Sequence, residues 1–117
     1  MAVVYCLNMP DRDRGYVRAA CLLNGIQRAV VEPRDFDLTV RELVGGLQGH
    51  AEGKLFDDTL YLLHNLSQNQ FNAFLDALRK PDPPCPGFRA ITTRENRRWT
   101  LSQLIQEMKA EREQLGG

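Results

Sequence analysis

Four short apolar runs, each followed within a loop's length by a helix-start signal, constrain this chain more than any other feature of its sequence. Residues 2–8 are rich in β-branched and aromatic side chains and lack a helical period, which is the pattern of a buried strand. Residues 26–32, 59–63 and 88–93 read the same way. After the first run, Pro10 marks a turn and Asp11 is placed to cap a helix. That helix carries Tyr16, Ala19, Ala20 and Leu23 on one face and is stopped by Asn24-Gly25. After each later run comes a capping box, in which a hydroxyl and a Glu or Gln three residues on satisfy each other's backbone N–H groups. The boxes are Thr39 with Glu42, Ser67 with Gln70, and Thr100 with Gln103.

The helix after Thr39 is brief, because Gly45-Gly46 weakens it. The helix after Ser67 places Phe71, Phe74, Leu75 and Leu78 on one face, and the last helix does the same with Leu101, Leu104, Ile105, Met108 and Leu115. Alternation of this kind predicts an α/β fold: a three-layer, four-stranded parallel sheet of order 2-1-3-4, flavodoxin-like, with helices on both faces and right-handed crossovers. The expectation is a single α/β domain over residues 1–117, without internal repeats. A ligand in such a sheet lies outside the carboxyl ends of the strands, near the switch point between the first and third.

A chain of 117 residues, 43% hydrophobic and 26% charged, can bury a core without metals or cross-links. Its 15 basic and 15 acidic side chains cancel, so no global field steers it toward nucleic acid or lipid. Cys6, Cys21 and Cys85 are odd in number and widely spaced, with no C-x-x-C, as reduced thiols are. His50 and His64 have no zinc spacing. Neither a leader nor a membrane-length apolar run is recognisable. The expected location is the cytoplasm, and no cofactor, metal or membrane is expected.

Two phosphate-loop patterns fail on inspection. Cys6-Leu-Asn-Met-Pro-Asp-Arg12 has the C-x5-R spacing of phosphatase loops, where a thiolate attacks phosphorus and Arg holds the phosphate. Its interior lacks glycine, Asp13 follows the Arg, and Asp11 would sit beside the phosphate. Catalysis by Cys6 and Arg12 is therefore the alternative and not the leading reading; a buried, inert strand cysteine is expected, with Cys85 in the stiff proline-rich loop 81–86 reacting first. The stretch Gly49-His-Ala-Glu-Gly53-Lys54 is one residue short of a nucleotide loop and precedes a strand, so a flexible connector is expected. Asp57-Asp58 reads as a solvated turn.

The C-terminal half carries a resemblance. Phe71-x-x-Phe74-Leu-Asp-Ala-Leu-Arg79, then Ala90-Ile-Thr-Thr93-x-x-Asn96-x-x-Trp99-Thr100-x-x-x-Leu104 and the charged helix behind it, resemble a small bacterial domain-of-unknown-function family, number 3783. Leu43-Val-Gly-Gly-Leu47 resembles that family's leucine-glycine stretch. The resemblance implies alternating strands and helices and implies no activity.

The same segment is the most informative chemically. Thr93, Asn96 and Trp99 lie between the fourth strand and the last helix, and residues 89–98 carry four Arg against one Glu. Asn96 can serve a loop turn and Trp99 can staple the helix start. Trp99 is expected to be partly buried, with Asn96, Arg94 and Arg97 at the surface. His64-Asn65 ends the third strand. The leading reading is a non-catalytic binding or regulatory module for a small anionic ligand or a protein partner, using Asn8, His64, Asn65, Thr93, Arg94, Asn96, Arg97, Arg98 and Trp99. Nucleic acid is disfavoured, because one aromatic accompanies the Arg cluster. The expected state is a monomer or weak homodimer.

Overall fold

The computed structural model describes residues 1–116, with side chains through Arg112, so Leu115 lies outside the described side chains. Strands β1 (Val3–Leu7), β2 (Gln27–Val30), β3 (Leu60–His64) and β4 (Phe88–Ile91) alternate with helices α1 (Arg14–Leu23), α2 (Val40–Val44), α3 (Gln68–Arg79) and α4 (Leu101–Gly116). The strands form one sheet of order β2-β1-β3-β4. Val4, Cys6, Tyr61 and Leu63 turn toward α1 and α3, and pack with Val17, Ala20, Phe74 and Leu78. Leu7, Leu60, Leu62 and Ala90 turn toward α2 and α4, and pack with Val40, Leu43, Leu101 and Ile105. Helices therefore cover both faces, and Leu60 to Leu63 of β3 are all buried, as a doubly covered central strand requires.

The sheet is not parallel throughout. β1 pairs parallel with β2, and β3 parallel with β4, but β1 runs antiparallel to β3. The flavodoxin-like parallel sheet is thereby overturned, and the cause is the length of α2. A parallel crossover needs a helix that carries the chain back along the sheet. Five residues of helix rise about 7–8 Å, whereas a five-residue strand spans about 17 Å. The chain leaves α2 at Gly45 and enters β3 at the same end of the sheet by which it left β2, with Leu7 opposite Leu60.

The sequence has no internal repeat by identity, but the order of elements recurs. Each half runs β-α-β-α, and the halves are related by a pseudo-twofold axis. Tyr5 and Leu62, the central residues of β1 and β3, pair with each other. Asn8 and Asn65 follow the two strands, both left-handed with φ of 54° and 61°. Thr39 and Thr100, each accepting its box's backbone N–H, form an isolated antiparallel bridge. Val40 N–H donates to the Trp99 carbonyl and Leu101 N–H to that of Leu38. The repeat is one of pattern, Leu38-Thr-Val-x-Glu-Leu against Trp99-Thr-Leu-x-Gln-Leu, with little identity.

Two further expectations change. The buried stripe of α1 is Val17, Ala20 and Cys21, while Tyr16 and Leu23 are exposed; small Ala20 and Cys21 suit the close approach of α1 to α3. The glycine-rich connector is tied down. Gly49 N–H donates to the Asp35 carboxylate at 2.7 Å, Ala51 N–H to the Arg34 carbonyl at 2.9 Å, and Phe56 stacks on Phe36 at 4.3 Å. A side chain at Gly49 would collide with Asp37.

Candidate functional site

β4 is an edge strand, and α3 and α4 overhang its open side. Phe88 N–H donates to the Thr59 carbonyl and Thr92 N–H to that of Leu63. By the alternation of a parallel ladder, residues 88, 90 and 92 turn their backbone to β3, and Arg89 and Ile91 turn theirs outward. Along this edge runs a groove of about 420 Å³. Phe71 and Leu75 of α3 form one wall, Leu104 and Met108 of α4 the other, with Ala90 and Ile91 between them. Trp99 also lines it, as do Glu107 and Glu111 of α4. Ile91 is 51% exposed within it.

Phe71 and Ile91 also line an adjoining polar cavity of about 300 Å³, with Asn65, Ser67, Gln68, Thr92 and Arg97. Beside Thr92, His64 Nδ1 lies 2.8 Å from the Thr92 hydroxyl. Burial pushes the His64 pKa below its ordinary value, and the positive charges of Arg97 and the N-terminus push it the same way. The α3 start that borders this cavity is held by the complete Ser67–Gln70 box.

The structure divides the expected site. His64, Asn65, Thr93, Arg97 and Trp99 gather at the β3–β4 end. Asn8 lies at the opposite end of the sheet, because β1 and β3 are antiparallel. There its amide donates to the Phe56 and Asp58 carbonyls, each at 3.0 Å, and its own carbonyl accepts the Thr59 hydroxyl. Asn8 locks the entry to β3.

Asn96 is buried, contrary to expectation, at 6% exposure. Its oxygen accepts Thr93 N–H at 2.8 Å, its amide donates to the Ile91 carbonyl at 2.9 Å, and its own N–H donates to the Thr93 hydroxyl. Asn96 is thus buried with its polar groups paired, which offsets its desolvation. Trp99 is half-buried, and Arg94, Arg97 and Arg98 are exposed.

Cys6 is fully buried, and desolvation, with a smaller push from Cys21, raises its pKa to about 12. Arg12 is turned to the Asp13 carboxylate and the Pro83 carbonyl. Cys85 is buried as well, although it lies in the proline-rich loop: its N–H is bonded to the Leu78 carbonyl, and its side chain packs in the core beneath α1 and α3. Among the described residues, no cluster of three metal-ligating side chains occurs, and no helix is long and apolar enough to cross a membrane.

The groove's helical residues, Phe71, Leu75, Glu107, Met108 and Glu111, were not among the expected site residues. The apolar ones carry the periodicity of a core face, and only the lateral position of α3 and α4 over an edge strand leaves them partly open.

Residues 60–115 match the family model described as Domain of unknown function (DUF3783). The C-terminal resemblance is therefore shown, while Leu43 to Leu47 lie outside the matched span. The span begins at the first residue of β3 and ends within α4, so it covers one β-α-β-α half, the half that carries the groove. No curated protein and no solved structure matches the chain.

Proposed function

We propose that this protein is a non-catalytic binding module of the bacterial cytoplasm, and that a polypeptide partner lies in the groove along β4. The observation that carries this reading is the groove itself, an apolar slot built over an unpaired strand edge. An extended chain added to a sheet edge gains main-chain hydrogen bonds, while pockets beside the edge select its side chains. Three buried, reduced thiols accord with a reducing compartment.

Displayed random peptides selected against the wild type and against Ile91→Arg test the reading. Ile91 is exposed, so the longer charged side chain obstructs the groove and leaves the core intact. Enrichment on the wild type alone is expected; no enrichment on either protein overturns the proposal.

A small anion is the second reading, favoured only by the adjoining cavity, where Arg97 stands among polar groups. Inorganic phosphate titrated into labelled protein addresses it. Amide shifts confined to Asn65, Gln68 and Thr92, and lost in Arg97→Ala, would favour the anion over the polypeptide.

A further inference from the structure

We propose that the β4 groove takes an extended segment of a partner protein in which basic residues flank an apolar one, added as a fifth strand beside β4. The inference rests on the groove reading above and names the chemistry of its occupant.

The backbone sets the length of the pairing. Of the outward-facing groups of β4, the Ile91 carbonyl is already taken by the Asn96 amide. Beyond the start of the strand, the Gly87 carbonyl accepts the Arg89 guanidinium. Among the described residues this leaves Arg89 N–H, Arg89 C=O and Ile91 N–H without partners. Three consecutive groups suit a short added strand, with one partner residue opposite Arg89.

Side-chain direction then sets the pattern. Residues opposite each other in a sheet share a face. The Arg89 and Ile91 side chains lie on the α3 face, because Phe88 and Ala90 pack on the α4 side. The partner residue opposite Arg89 therefore points at Phe71 and Leu75, and must be apolar. Its two neighbours point at α4, where Glu107 and Glu111 stand one turn apart. Four residues of helix rise about 6 Å. Alternate residues of a strand are about 6.6–6.8 Å apart. Two basic side chains at alternate positions thus meet two carboxylates at nearly their own spacing. The groove's neighbouring cations do not neutralise these carboxylates: Arg89 is bonded to the Gly87 and Cys85 carbonyls, and Arg112 lies over the Phe88 ring. A second copy of this chain is a poor occupant, since its own edges read Phe88-Arg-Ala-Ile91 and Gln27-Arg-Ala-Val30, with one basic residue each.

Trp99 is the sole tryptophan and lines the groove, so its emission reports occupancy. The probe is a capped peptide Ser-Lys-Val-Lys-Val-Lys-Ser, compared with its Glu-for-Lys counterpart and with a form N-methylated at the valines. The Lys peptide is expected to bind saturably, with affinity at least tenfold weaker in Glu107→Gln/Glu111→Gln and falling with salt. The Glu and N-methylated forms are expected not to bind. Equal binding of the Lys and Glu peptides, or binding unmoved by the double substitution or by N-methylation, overturns the proposal. If the Lys peptide fails but displayed peptides still bind in an Ile91-dependent way, this inference falls and the groove reading stands. If neither binds, both fall.

Discussion

The two halves of this molecule follow the same local rules and end differently. In the N-terminal half, a five-residue helix follows the second strand, and the chain then wraps back through the Gly49 ties and the Phe36–Phe56 stack. In the C-terminal half, the equivalent helix runs sixteen residues, and its Leu104, Glu107, Met108 and Glu111 line the groove beside β4. The longer helix, together with α3 and the open edge of β4, makes the C-terminal half the one that carries the groove. Matched positions show the same divergence: Leu38 before its capping box is buried, whereas its counterpart Trp99 is half-buried and lines the groove.

The largest expected effect is at those matched positions. Leu38→Ala should cost about 2–5 kcal/mol, the range for a buried leucine. Trp99→Ala should cost less in chemical denaturation, despite the larger ring, because part of it is already in water. An equal or greater loss at Trp99 would make both positions core and remove the contrast.

Next come the asparagines. Asn8→Ala should cost about 2–3 kcal/mol, because it loses both a residue that tolerates the left-handed backbone and two buried-side hydrogen bonds. Asn65→Ala, which loses only the backbone tolerance, should cost about 1 kcal/mol. Similar losses would show that Asn8's ties to Phe56 and Asp58 contribute little. Asn96→Ala should cost about 1–3 kcal/mol, since it strands the Ile91 carbonyl and Thr93 N–H.

The thiols sharpen the comparison kinetically. Burial raises the pKa of Cys6 to about 12 and of Cys21 to about 11, and raises that of Cys85 as well. Alkylation of native protein near neutral pH should label none of the three, and denaturant should expose all three together. Earlier labelling of Cys85 would show that the proline-rich loop opens locally in the C-terminal half.

The smallest effect belongs to His64, which stands where the N-terminal half has Leu7. Its folded pKa lies below the ordinary 6.5, so the unfolded chain binds a proton more readily. The His64 contribution to stability is therefore complete above that value and declines as pH falls through it toward the folded pKa. The ring's NMR titration should have its midpoint below 6.5, and Arg97→Gln should move it upward. An unchanged midpoint would remove Arg97 from the causes of the shift.

Much of the local structure was legible from residue order. Strand apolarity, capping hydroxyls and Gly45-Gly46 are short-range signals, and they located the strands and the start of every box-capped helix. Trp99 as a half-buried staple before its capping box was legible for the same reason. Asn96 was misplaced because a polar residue reads as exposed unless its partners are known, and those partners exist only once the loop closes. The burial of Cys85 was not legible either, because a proline-rich context says stiff but not where the chain points.

The sequence by itself determined the order of elements and the apolar character of each strand, because these follow from periodicity, caps and apolar runs acting over a few residues; the sheet order 2-1-3-4 agrees with the flavodoxin-like expectation but is set by long-range pairing. Only the tertiary structure decided that β3 runs against β1, and hence that Asn8 and His64 lie at opposite ends. Strand direction depends on where a connection ends in space, and a five-residue helix cannot recross a sheet twice its length. The groove was decided at the same level. Phe71, Leu75 and Met108 have the spacing of a core face, and what leaves them partly open is that nothing in the described chain continues the sheet beyond β4.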